Sequence, residues 1–131
     1  MGCLPGETIE QISIGYRSSE FPLRLSHMSQ LVLDCLCRYR GTTLTAAKID
    51  EIMRTDPYYR AQRIKGRGHT GLPYQAAVKV YIKRIREHMA TIFRENALPF
   101  NPFTVLSSDV TESNVIAYRL KASVELAHHV F

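Results

Sequence analysis

Eight cations fall between Pro57 and Arg86, namely Arg60, Arg63, Lys65, Arg67, Lys79, Lys83, Arg84 and Arg86, and no Asp or Glu interrupts them. The rest of the 131-residue chain carries nine basic and twelve acidic groups, so this segment supplies the whole net charge of +5. Cations gathered in this way attract a polyanion: Lys acts as a point charge, while Arg presents a planar fork that donates two hydrogen bonds at once. A charged helix face is ordinarily just solvated. The asymmetry of this chain shifts the reading toward a polyanionic partner.

Other reactive residue types do not fall into a working pattern. Ser26 and His27 are adjacent, but they are better explained as the start of a helix. Cys35 and Cys37, two apart in an apparent helix, point about 200° away from each other and cannot easily grip one metal. His128 and His129 have no Cys or carboxylate cluster near them in sequence. No Ser/His/Asp, Cys/His or metal spacing emerges, and Gly66-Arg67-Gly68 is followed by no Gly-Lys-Ser/Thr. No enzyme activity, metal or cofactor is therefore expected. Three cysteines, an odd number, argue against a disulfide framework. With no apolar run near the ~20 residues of a membrane span and no signal-peptide pattern, the expectation is a soluble cytoplasmic protein that does not enter a membrane.

The elements that must position the cations follow from periodicity. Pro73 to Asn96 reads as one long helix, with Val78, Ile82, Ile85, Met89 and Ile92 on an apolar stripe and most of the cations off it. Before it, Ser26 caps a helix to about Tyr39 with Met28, Leu31, Val32, Cys35, Leu36 and Tyr39 in phase, and Gly41 supplies a left-handed end. Thr45 opens a shorter helix with Ile49, Ile52 and Met53 buried, which stops before Asp56-Pro57. Tyr58 to Leu72 reads as a mobile loop. Alternation at Ile12, Ile14 and Tyr16, then Phe21, Leu23 and Leu25, predicts an N-terminal β-hairpin with Pro22 at an edge. Phe103–Leu106 and Asn114–Leu120 predict a second hairpin across the polar stretch Ser107 to Ser113. The boundaries are an arm over 1–8, a domain over 9–120 and a tail over 121–131, where Val124, Ala127 and His128 have helical spacing.

This order, with Val78-Lys79-Val80-Tyr81-Ile82-Lys83-Arg84-Ile85-Arg86, resembles the winged helix-turn-helix DNA-binding domain of bacterial OmpR/PhoB-type response regulators. That family's third helix reads Val-x-Val-x-Ile-x-Arg-Leu-Arg. Leu25-Ser26, Gly41 and the helix from Thr45 to Arg54 resemble its opening, its glycine turn and its second helix, and Tyr118-Arg119-Leu120 resembles the close of its wing. The chain departs from the family at Val115-Ile116-Ala117, where a Gly-x-Gly is usual, and at Lys79, where an acid is usual. The loop before the third helix is longer and more basic, and no receiver domain is expected.

The resemblance implies an α+β fold: N-terminal β-hairpin, three helices and a C-terminal β-hairpin wing. It implies a sequence-specific regulator of transcription, bacterial, plasmid or phage, that inserts helix 73–96 into the major groove of double-stranded DNA. Tyr81, Lys83, Arg84 and Arg86 match the groove-facing positions, beside Lys79. Arg84 and Arg86 are candidates for bidentate bonds to guanine, but two residues apart they cannot both point straight into the groove, so the alternative for one of them is phosphate, as for Lys83. Arg60, Arg63, Lys65 and Arg67 either clamp the DNA backbone or touch RNA polymerase, and their charge favours DNA. Arg119 and Lys121 either place a cation in the minor groove or, for Arg119, flank the sheet. A homodimer on repeated half-sites fits. The alternative is an interaction module that docks an acidic protein through the same basic face.

Overall fold

A computed structural model describes residues 10–16, 19–64, 74–121 and 126–130. The chain is a mixed α+β protein with, among the described residues, five helices and two small antiparallel sheets. Strands β1 (Glu10–Tyr16) and β2 (Ser19–Leu23) form the expected hairpin, with Ile14 opposite Phe21. Pro22 lies on the edge strand, where its missing N–H removes no ladder bond from a central position.

Helix α1 (His27–Arg38) begins as its sequence dictates, with the Ser26 hydroxyl accepting the Ser29 amide at 3.3 Å. Met28, Val32, Cys35 and Leu36 are buried along one face. Tyr39 is a correction to the core stripe. It is the residue on which the helix ends, and it stands exposed. Gly41 takes a positive φ of 84°, and its amide reaches the Leu120 carbonyl at 2.9 Å, tying the end of α1 to the C-terminal hairpin.

A two-residue strand, β3 (Leu44–Thr45), follows and leads into α2 (Ala46–Met53), capped by the Thr45 hydroxyl on the Lys48 amide at 3.1 Å. Asp56-Pro57 both stops α2 and starts another helix, α3 (Pro57–Ile64), where a loop was expected. The cause is local. Proline at the first helical position has no N–H to waste, and the Asp56 carboxylate accepts the Tyr59 amide at 3.0 Å. The arm over 1–8 and the three glycines at 66, 68 and 71 lie outside the described residues.

Helix α4 (Tyr74–Glu95) runs 22 residues, roughly 33 Å at 1.5 Å per residue, through the middle of the core. Ala77, Val78, Tyr81, Ile82, Ile85, Met89 and Phe93 are all buried on it, a wider face than the single stripe of the sequence. Ile92 is only partly covered. The chain then turns through Ala97 at a φ of 52°, the Leu98 amide bonding back to the Phe93 carbonyl at 2.9 Å.

The second hairpin departs from expectation at its start. Pro102–Val105 form a single-turn helix, α5, with the Asn101 side chain accepting the Phe103 amide, and the strand β4 is Leu106–Val110. Ser107 to Val110, read as turn because they are polar, pair with β5 (Ile116–Leu120). Polar residues tolerate an edge strand, because one face of it meets water. β3 adds to the other side of β5, giving the order β3-β5-β4. The tail is strand rather than helix: β6 (Leu126–Val130) pairs with β1, Ile14 opposite Leu126. A five-residue segment beside an open sheet edge gains a full ladder of hydrogen bonds, whereas an isolated helix that short does not nucleate.

Candidate nucleic-acid interface

The buried half of α4 fixes what its other half presents. Gln75, Lys79, Lys83, Arg84, Glu87 and His88 are exposed. Lys79 and Lys83, one turn apart, form a row; Arg84 stands about 100° further round the helix. Glu87 closes the Lys79–Lys83 row one turn later, so the cationic surface is confined to the first half of α4. Lysines in such a row suit phosphate oxygens, and an exposed arginine suits a bidentate acceptor such as the O6 and N7 of guanine. Gln75 is exposed one turn before Lys79 and, being uncharged, leaves no trace in the charge pattern. Its amide can bond both N6 and N7 of adenine.

Two of the four groove-facing positions implied by resemblance do not project freely. Tyr81 is 0% exposed and belongs to the core. It stands three residues after Val78 and four before Ile85, so helix geometry places it on the apolar face, where its ring lies 5.9 Å from the Arg84 guanidinium. Arg86 is half-buried, and its guanidinium is already occupied. Its Nε and Nη2 donate to the Leu106 carbonyl at 2.9 and 2.7 Å, and Nη2 also donates to Ser108 Oγ at 2.6 Å. The group lies 4.8 Å from the Phe103 ring centroid and 5.7 Å from that of Tyr118. Desolvation lowers its pKa from the ordinary arginine value, and burial raises that of Tyr118. Arg86 thus fastens α4 to the start of β4 rather than reading a base.

The other cations divide by position. Arg60 is exposed on α3. A buried network sets that helix: Asp50, 0% exposed, accepts the Tyr59 hydroxyl at 2.5 Å and Arg54 Nη2 at 2.9 Å. The side chain of Arg63, and Lys65 and Arg67 altogether, lie outside the described residues. Arg119 is exposed near the base of the hairpin, paired with Ser107. Side chains alternate along a strand, so Arg119 points away from the face on which Tyr118 meets Arg86, and it does not share the surface of α4. Lys121 follows it, exposed. The far end of the hairpin holds Asp109 and Glu112 beside exposed Val110, Val115 and Ile116, with no cation from 107 to 118.

Among the described residues no group of three or more His, Cys, Asp or Glu side chains gathers to hold a metal, and no helix is long and apolar enough to cross a membrane. Comparison with family models, curated proteins and solved structures returns no match.

Proposed function

We propose that this chain is a winged helix-turn-helix protein that binds double-stranded DNA in a sequence-specific way and regulates transcription. The observation that carries the reading is the division of α4: one face is buried from Ala77 to Phe93, and the other presents Lys79, Lys83 and Arg84 within a segment that has no acid from 57 to 86. A helix held rigidly by its apolar face, with cations projecting from its N-terminal half, has the shape and charge to enter a major groove. The order α1, β3, α2, α3, α4 and then, after the single turn of α5, a hairpin whose sheet recruits β3 supports the winged-helix reading, with α3 an addition to the three helices expected.

In this reading Arg84 and Gln75 contact bases, Lys79 and Lys83 contact phosphates, and Arg60 on α3 reaches the backbone beside the groove or a polymerase surface. Arg119 and Lys121 reach only flanking phosphates. The acidic, apolar end of the hairpin is unsuited to the minor groove and suits a neighbouring protomer on repeated half-sites. Selection from a randomised duplex pool, followed by sequencing of the retained DNA, tests the proposal. Enrichment of a defined motif supports it. Saturable capture of an acidic protein, with no duplex retained at physiological salt, supports the alternative of a protein-docking module.

A further inference from the structure

Phe103 is 65% exposed, an unusual position for a phenylalanine whose surroundings are so firmly fixed. It sits in α5, with its amide held by Asn101 Oδ1 at 2.8 Å and with Val105 and Leu106 buried two and three residues after it. Arg86 grips the Leu106 carbonyl from α4 and lays its guanidinium over the Phe103 ring. The ring is therefore presented, not loose. Lys79 and Lys83 form the free cationic row, and Arg86, at i+7 from Lys79, spends its guanidinium on the hairpin and under the ring, so on the hairpin side the row gives way to the Phe103 ring.

An apolar ring at the end of a row of cations fits one kind of occupant better than any other: the base stack of a polyanion. The cations hold the phosphates, and the ring offers an apolar face to the bases between them. Arginine beneath the ring stiffens it, since a guanidinium over an aromatic face is attractive and Arg86 is itself locked by three hydrogen bonds. From this juxtaposition, and resting on the DNA-binding reading above, we infer that Phe103 is a wedge that inserts at a base step of the DNA held on α4 and partly unstacks it. Apolar wedges of minor-groove binders kink the duplex and recover the energy of unstacking in the contacts that the kink allows; Phe103, beside a helix in the major groove, would unstack the step from the opposite side. The specificity of the protein then includes the deformability of the step beneath Phe103, with pyrimidine–purine steps favoured.

The test compares binding, by fluorescence anisotropy, to an intact duplex and to the same duplex with one central mismatch, where stacking is already weakened. Wild-type protein binds the mismatched duplex about tenfold or more tightly, because part of the unstacking is done in advance. Phe103→Ala binds the two alike, and Phe103→Trp, which keeps an aromatic wedge, restores the preference. Circular dichroism checks that the variants are folded, as expected for a side chain mostly in solvent. Equal binding of both duplexes by the wild type, or a preference that survives Phe103→Ala, would overturn the wedge while leaving DNA binding intact. Failure to bind either duplex at low salt would instead overturn the reading on which the wedge rests.

Discussion

The guanidinium of Arg86 closes on the carbonyl of Leu106 with two hydrogen bonds, Nε at 2.9 Å and Nη2 at 2.7 Å, and so joins the basic helix to the edge strand of the C-terminal hairpin. Lysine cannot reproduce a fork of this kind. Arg86→Ala is expected to lose about 1–3 kcal/mol of stability, and Arg86→Lys to recover only part of it, in urea unfolding. A loss of DNA affinity with no change in stability would show that Arg86 contacts DNA instead.

Asp50 is the second fixed point, because it is fully buried and accepts from Tyr59 on α3 and from Arg54, the residue that ends α2. Asp50→Ala leaves a buried phenol hydroxyl without this acceptor and should cost about 2–4 kcal/mol, with Tyr59→Phe costing less. Denaturant midpoints of the two variants check the order. If Asp50→Ala unfolded at the wild-type midpoint, the network would have no part in holding α3.

Ala97 occupies the left-handed region with a φ of 52° where α4 ends, and the Leu98 amide closes onto Phe93. Glycine adopts that conformation without the clash of a Cβ. Ala97→Gly is expected to stabilise the protein by about 0.5–1 kcal/mol, seen as a higher denaturant midpoint, whereas Ala97→Val should lower it.

Much of this architecture was legible in the sequence, and the failures have physical causes. α1, α2 and α4 carry strong 3.6-residue patterns, and α1 and α2 also carry their caps at Ser26 and Thr45, so they stand where expected. α3 was missed because Asp-Pro reads equally as the end of one helix and the start of the next. β6 was missed because five residues cannot declare a period, and its structure comes from pairing with β1. Among candidate site residues, Lys79, Lys83 and Arg84 lie off the apolar stripe and are exposed. Tyr81 was misplaced because a motif position outweighed its helical phase, and the role of Arg86 depends on Leu106, twenty residues away.

Burial pushes the thiols of Cys35 and Cys37 up to about 11, against an ordinary value of 9.0, with nearby arginines only partly opposing the effect. At pH 8 only about one thiol in a thousand is then thiolate, so both should react slowly with a disulfide reagent until the chain unfolds. The sign for stability follows. Between pH 9 and 11 the unfolded chain has released thiol protons that the folded chain retains, so stability falls as pH rises through that window. Rapid labelling of two native thiols at pH 8 would contradict the burial of Cys35 and the partial burial of Cys37.

The most direct test of the central claim is the salt dependence of duplex binding, measured by fluorescence anisotropy for the wild type, Lys83→Ala and Arg84→Ala. Wild-type affinity should fall steeply with salt, by about 0.9 in log K per log salt for each neutralised phosphate, and Lys83→Ala should reduce that slope by about 1. Arg84→Ala should relax base preference, at about 1–3 kcal/mol for its cognate position. Binding that is insensitive to salt, or unchanged in both variants, would contradict the account and remove α4 from the interface.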